Sequence, residues 1–331
     1  MAGGQGERFW PLTHKKLPKY RIKFEGKRSL LQNTYSRLIK VFGKKNIYVV
    51  TTAPHARFIR EELPTMASAN IFIEPFRKNT CAAITLACAK LRQKTGDDGV
   101  VSFFPADQLI KDEVAFKKTM DGAVRLARQE EVLVTIGIRP TFPATGYGYL
   151  EKGPRHSKFS FAFGVKRFVE KPDQKKAARY LRAKTFCWNA GIFTWRLGAF
   201  FRAMERHCPV FVKNFDAVRL KESYKKLPNI SIDKALMEKA RNIALCPTAM
   251  DWCDMGNWDR LFEKSLRSAR NVYSEGPSSH RDTKNSLLVN HTNLPLVVLG
   301  VSGIVAIQTS RGTLICQQGR SEEAALLAQN L

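Results

Sequence analysis

The residues best suited to chemistry stand at the start of the chain: Gly3, Gly4, Gln5, Gly6, Glu7 and Arg8, then Phe9-Trp10-Pro11-Leu12, with Pro18-Lys19 shortly after. Closely spaced glycines let a backbone turn tightly and bring bare N–H groups against an anion. Arg8 can reach such an anion as a planar fork, and Lys19 as a point charge. The chemistry this points to is the cradling of a polyphosphate. It is not the Gly-x-Gly-x-x-Gly turn of a dinucleotide fold, nor a P-loop, which needs Gly-Lys-Ser/Thr. Pro11 and Pro18 also oppose a long helix directly after the glycines. A solvated surface turn is the plain alternative for the glycines alone; Arg8, Pro11-Leu12 and Pro18-Lys19 weigh against it.

The stretch GGQGERFWPL with its following Pro-Lys resembles the signature of the sugar-nucleotide pyrophosphorylases, in their mannose-1-phosphate guanylyltransferase (GDP-mannose pyrophosphorylase) branch. Further pieces follow in that family's order. They are Glu74-Pro75 with Arg77-Lys78-Asn79-Thr80, Phe104-Pro105-Ala106-Asp107, Thr145-Gly146-Tyr147-Gly148-Tyr149 and Val169-Glu170-Lys171-Pro172. Trp188-Asn189-Ala190-Gly191-Ile192-Phe193, Ser231-Ile232-Asp233 and Trp252-Cys253-Asp254-Met255-Gly256-Asn257-Trp258 complete the series. The similarity runs from residue 2 to about residue 260 and weakly on to 316. Each motif alone is weak; the run of them in register is strong.

The resemblance implies nucleotidyl transfer from GTP to mannose 1-phosphate, giving GDP-mannose and pyrophosphate by in-line attack of the sugar phosphate on the α-phosphorus. The substrate supplies the nucleophile, so catalysis reduces to positioning and to neutralising growing charge. Mg²⁺ is the implied cofactor, bridging phosphate oxygens and held by one or two carboxylates. The resemblance makes Asp107 and Asp254 that metal pair. Asp107 ends an apolar run, where a carboxylate is costly unless solvated, and it could instead cap a helix. Asp254 could instead be a turn acid bonded to nearby backbone.

Arg8 and Lys19 would neutralise the triphosphate, with Gly3, Gly4, Gln5, Gly6, Glu7 and Arg8 forming the nucleotide loop. Asn79, Thr80 and Pro105 are the further nucleotide-side candidates, Thr80 being equally a helix cap. On the sugar-phosphate side stand Gly146, Gly148, Glu170, Lys171 and Asn189. Glu170 would accept sugar hydroxyls and Lys171 would meet the sugar phosphate. Arg8, Lys19, Asp107 and Lys171 are thus the catalytic candidates. The plain readings are a surface ion pair for Arg8, an exposed strand end for Glu170-Lys171 and a turn for Asn189 and the glycines.

The elements that must position these residues alternate. Ile47–Thr51, Asn70–Ile73, Val100–Phe104 and Val132–Ile138 read as strands; His55–Leu63, Thr80–Gln93 and Phe116–Arg128 read as helices. This order predicts an α/β fold with a mostly parallel, Rossmann-like nucleotidyltransferase sheet and helices on both faces. In such sheets ligands bind beyond the carboxyl ends of the strands, where Asp107 falls. From about residue 281 short apolar strands recur without helices, which suggests a small β unit. The resemblance makes it one or two rungs of a β-solenoid. The expected division is a catalytic domain over residues 1–264, a linker over 265–284 and a C-terminal β domain over 285–331.

Composition agrees. A chain of 331 residues, 44% hydrophobic and 25% charged, is ordinary for a globular protein. No apolar run approaches the roughly 20 residues of a membrane helix, and no leader is visible, so a cytoplasmic location is expected. The seven cysteines form no Cys-x-x-Cys pair and the six histidines show no ligand spacing, which opposes a zinc site. Four of the five tryptophans, Trp188, Trp195, Trp252 and Trp258, read as core or site wall. The charge balance is anomalous: 55 Lys and Arg against 29 Asp and Glu give +26. That predicts non-specific, salt-dependent nucleic-acid binding, although no nucleic-acid-binding motif accompanies it. The resemblance also admits a homodimer.

Some features depart from the family pattern. There an apolar strand precedes the double glycine, whereas here Met1-Ala2 leave no room for one; a start upstream of Met1 is the expectation. Tyr20-Arg21-Ile22-Lys23, Gln108 and Ala190 also depart from the pattern. Other readings therefore stay open: a glucose-1-phosphate transferase using UTP or dTTP, a catalytically weak regulatory relative, or a basic nucleic-acid binder. The chain ends about where a transferase unit does, so a single activity is expected.

Overall fold

Short β-branched runs and longer Ala/Leu-rich runs fold as their periodicities require. The computed structural model describes all residues except 5, 15, 25, 217, 218, 267–270 and 329–331. It divides into two units. One comprises Met1–Gly3, Thr34–Ala106 and Ile110–Trp252; the other comprises Gly4–Asn33, Asp107–Leu109 and Cys253–Leu331. The second grouping joins the glycine segment to the C-terminal strands.

In the first unit, helix Asn79–Thr95 buries every residue from Cys81 to Cys88, as an element apolar all round must. Helix Glu113–Gln129 is amphipathic and buries Phe116, Met120, Ala123, Leu126 and Ala127. Its N-cap is Asp112, whose carboxylate accepts the Ala115 N–H at 2.8 Å. Strands Val49–Thr52 and Ile71–Glu74 pair in parallel as a two-stranded sheet. A six-stranded sheet runs in the order Val100–Phe103, Phe186–Arg196, Leu133–Ile138, Ile243–Thr248, Phe163–Val169 and Tyr149–Arg155.

The six-stranded sheet is mixed, not mostly parallel. Only Leu133–Ile138 and Ile243–Thr248 run parallel; every other pairing in it is antiparallel. The reason lies between residues 139 and 196. Tyr149–Arg155 and Phe163–Val169 are joined by a short loop that admits only a hairpin. The long strand Phe186–Arg196 then runs antiparallel to all three of its partners.

The first two residues bridge two stretches of the first unit. The Met1 amino group donates to Phe104 O at 2.8 Å, and the Ala106 N–H donates to Met1 O at 3.1 Å. On its other side the Ala2 N–H donates to Val50 O at 2.9 Å, and the Thr51 hydroxyl to Ala2 O at 2.6 Å. Ala2 thus bonds within strand Val49–Thr52, and Met1 to the segment that follows strand Val100–Phe103, two strands of separate sheets.

In the second unit, strands Val272–Glu275, Ser286–Asn290 and Ile304–Thr309 pair in parallel, and Gly312–Gln317 closes the sheet antiparallel. Ser278–Arg281 pairs in parallel with Leu296–Leu299. Two small sheets therefore stand where solenoid rungs were expected. The expected linker contributes two of these strands, while residues 267–270 lie outside the described residues. Phe9, Leu12, Ile22 and Phe24 pack with Met255, Trp258, Phe262, Leu287 and Val305, so the glycine segment is anchored by its own aromatic residues.

Candidate active site

Gly6 is the glycine that the loop requires. Its φ is +74°, and a β-carbon there would lie 2.5 Å from Lys19 Cβ. A β-carbon on Gly3 or Gly4 would meet nothing within 4 Å, so these two are not needed for close packing. The Thr13 hydroxyl at 2.6 Å and the Phe9 N–H at 2.9 Å both donate to Gly6 O, folding the loop back on itself. Glu7 and Arg8 lie in the short turn Glu7–Phe9, and Gln5 lies outside the described residues.

Lys19 follows Pro18 in the turn Lys19–Arg21 and is 9% exposed. Its ammonium stands 2.8 Å from Asp107 Oδ2 and donates to Asp254 O at 2.8 Å. Three candidates far apart in sequence therefore meet at one nitrogen. Asp107 does not cap a helix; that role falls to Asp112. Asp254 partly bears out its plain reading, since its Oδ1 accepts the Gly256 N–H at 3.1 Å. Arg8 reaches Glu322 at 3.8 Å with both side chains about half exposed, an ion pair of little energetic weight.

Among the described residues, no group of three or more His, Cys, Asp or Glu converges as a metal site. The oxygen donors on offer are the Asp107 carboxylate, paired with Lys19, and the Asp254 carboxylate, whose Oδ1 accepts the Gly256 N–H. That fits Mg²⁺, a hard cation that takes one or two carboxylates and fills its remaining positions with phosphate oxygens and water.

The sugar-side candidates lie on the first unit and form a second cluster. Between Thr135↔Phe193 and Gly137↔Asn189 the register shifts, so strand Phe186–Arg196 bulges at Ala190-Gly191-Ile192. Gly191 takes φ +68° there, and its N–H donates to Asn189 Oδ1 at 3.1 Å. Asn189 Oδ1 also accepts from Thr135 Oγ1 at 3.0 Å, and Nδ2 donates to Asp233 Oδ1 at 2.9 Å. The Asn189 N–H donates to Gly148 O at 2.8 Å. A β-carbon on Gly148 would lie 2.8 Å from Glu170 Oε2, whereas Gly146 has open space around it. Lys171, exposed and at φ +47°, pairs with Glu170 Oε1 at 3.2 Å.

Asp233 belongs to this cluster, and sequence reasoning did not assign it a role. Burial, and then the charge of Glu170, push its carboxyl well above the usual carboxylate range. Its signal was the motif Ser231-Ile232-Asp233, read only as part of the resemblance. Thr80 acts here too: its hydroxyl accepts the Ile232 N–H at 2.9 Å, so it fixes the segment before Asp233 instead of capping helix Asn79–Thr95. Asn79, exposed at φ +64°, accepts the Thr80 N–H at 2.8 Å. Pro105 lies in the loop after Val100–Phe103.

Glu74 is a second buried acid that the sequence reading left without a role. It accepts the Tyr224 hydroxyl at 2.5 Å, and burial pushes it up to about 7, opposed by that bond, the Met1 amine and Arg77.

A glycine-turned loop and a lysine bonded to two aspartate residues thus stand together on an α/β chain. The chain belongs to the nucleotidyl transferase family, whose pattern it matches over residues 1–271. It is 35% identical to a mannose-1-phosphate guanylyltransferase of Sinorhizobium fredii (strain NBRC 101917 / NGR234), over 98% of this chain and 65% of that protein. It is 32% identical to the mannose-1-phosphate guanylyltransferase RfbM of Salmonella typhimurium (strain LT2), over 100% of this chain and 71% of that protein. This chain thus spans about two thirds of the length of these relatives. The crystal structure of mannose-1-phosphate geranyltransferase from Thermus thermophilus superposes with a TM-score of 0.90 at 29% identity, covering 100% of this chain and 97% of that one.

Proposed function

We propose that the protein transfers a guanylyl group from GTP to mannose 1-phosphate, releasing pyrophosphate. The reaction class rests on one observation: a nearly buried Lys19 ammonium bonded to the Asp107 carboxylate and to the backbone oxygen of Asp254. The choice of mannose and guanine is supported by the names of the relatives. In this reading Lys19 and Arg8 neutralise the triphosphate, and the N–H groups of the loop from Gly4 to Arg8 hold its outer oxygens. Asp107 and Asp254 would hold Mg²⁺, which, when bound, polarises phosphate oxygens towards attack. Lys171 orients the sugar phosphate, while Glu170 and Asn189 take sugar hydroxyls. Asp233 fixes the Asn189 amide so that its orientation is not lost to rotation. Asn79, Thr80 and Pro105 are assigned to the nucleotide side. The parallel strands between residues 272 and 309 are read as a short β-solenoid.

The test is pyrophosphate release from each NTP with mannose 1-phosphate and Mg²⁺. GTP should be preferred, and Asp107→Asn should lower turnover by on the order of 10²-fold or more. The isosteric amide still accepts a bond from Lys19, so folding should survive. Release that is equally fast in the variant would sink the role of Asp107, and no release with any NTP would sink the reading itself.

A further inference from the structure

A cavity of about 860 Å³ opens on the first unit, walled by parts of helices Leu30–Phe42 and Glu113–Gln129 and of strand Ile243–Thr248. Its size is that of a small-molecule site. It contains none of the residues assigned above to the transfer reaction. Val41, Val114, Ala115 and Phe161 give it an apolar wall.

Arg37 is the unusual member of that wall. It is 4% exposed, yet among the described residues it has no acidic partner. Its Nη1 donates to Ile110 O and its Nη2 to Thr34 Oγ1, both at a long 3.3 Å. The guanidinium carbon stands 5.3 Å from the Phe116 ring centre, and Nε bonds to nothing among the described residues. A guanidinium offers five donors, and an unpaired buried cation is costly to keep. Burial lowers its pKa to about 10, so it stays charged at neutral pH; Glu113 opposes that shift.

The acids in the wall are already engaged. Glu113 bonds Lys40 at 2.5 Å and Asp121 bonds Lys117 at 2.7 Å. Lys118 and Arg125, both exposed wall residues, have no carboxylate partner among the described residues. Arg125 instead lies 5.6 Å from the Phe161 ring centre. Three cations without a direct carboxylate contact among the described residues, beside an apolar wall, describe a receptor for a compact dianion that carries an apolar body.

We propose that this cavity binds an organic phosphate monoester, its phosphate met by Arg37, Lys118 and Arg125 and its aromatic or apolar body lying on Phe161 and Val41. A dianion suits three unpaired cations better than a single carboxylate does. The site is independent of the transfer reaction and stands or falls apart from it.

Calorimetric titration with phenyl phosphate, paired with hydrogen exchange, tests this. The expected result is saturable one-to-one binding that protects helix Glu113–Gln129 and is weakened at least tenfold in the double variant Lys118→Glu, Arg125→Glu. Both changes are on exposed side chains, so folding is not at stake; Arg37→Met should weaken binding as well. Inorganic phosphate should bind more weakly than phenyl phosphate, benzyl alcohol should not bind, and Asp107→Asn should leave the affinity unchanged. Absence of saturable binding, equal affinity in the charge-reversed variant, or loss of binding in Asp107→Asn would each overturn the proposal.

Discussion

Gly6 and Lys19 constrain each other at the scale of single residues. With only 2.5 Å between a β-carbon at position 6 and Lys19 Cβ, and φ at +74°, Gly6→Ala meets both backbone strain and a steric conflict. The expected cost is about 1–3 kcal/mol in denaturant unfolding. Because Lys19 must shift, turnover should fall by about 10²-fold as well. A variant with wild-type stability and turnover would show that the loop relaxes freely. Glu74 supplies a pH-dependent test. Its folded pKa is raised to about 7 from 4.5, so the folded state holds the proton more tightly than the unfolded one. The stability this gives is fully present below about pH 4.5 and is lost as pH rises through about 7. Glu74→Gln removes the titration, so urea midpoints of the variant should gain on wild type between pH 5 and pH 8. A constant difference across that range would contradict the assignment.

At the scale of elements, the bulge in strand Phe186–Arg196 decides where Asn189 points. Its amide joins three elements, accepting from Thr135 and from the Gly191 N–H and donating to Asp233. Asn189→Ala would leave Thr135 and Asp233 without that partner. Each buried group so orphaned costs about 1–3 kcal/mol, a loss that thermal or chemical unfolding should register. If the variant unfolds at the wild-type midpoint, the amide does not hold the cluster together. Thr80 works in the same way from helix Asn79–Thr95, by accepting the Ile232 N–H.

At the scale of the whole molecule, charge dominates. A net charge of +26 exceeds what a polyphosphate site requires. Non-specific RNA should therefore bind, with an affinity that falls by roughly 10³-fold or more between 50 and 200 mM salt for six or more phosphate contacts. That binding should survive Asp107→Asn, since it does not use the transfer residues. Filter binding across a salt series reads it directly, and a flat profile would show that the cations are too dispersed to act together. Among the described residues no helix is long and apolar enough to cross a membrane.

Local signals fixed a good part of this protein. Helix Asn79–Thr95, helix Glu113–Gln129 and the strands up to Ile138 follow from periodicity, because each is stabilised mainly by its own pattern of burial. The turn at Gly6 was legible because closely spaced glycines permit a positive φ that other residues resist. Strand direction was not legible, because hairpin or crossover is decided by which edges meet. Nor was the meeting of Lys19 with Asp107 and Asp254, or the burial of Arg37 with no counter-charge among the described residues. Those depend on packing between segments more than 70 positions apart, and a linear order of residue types does not encode distance.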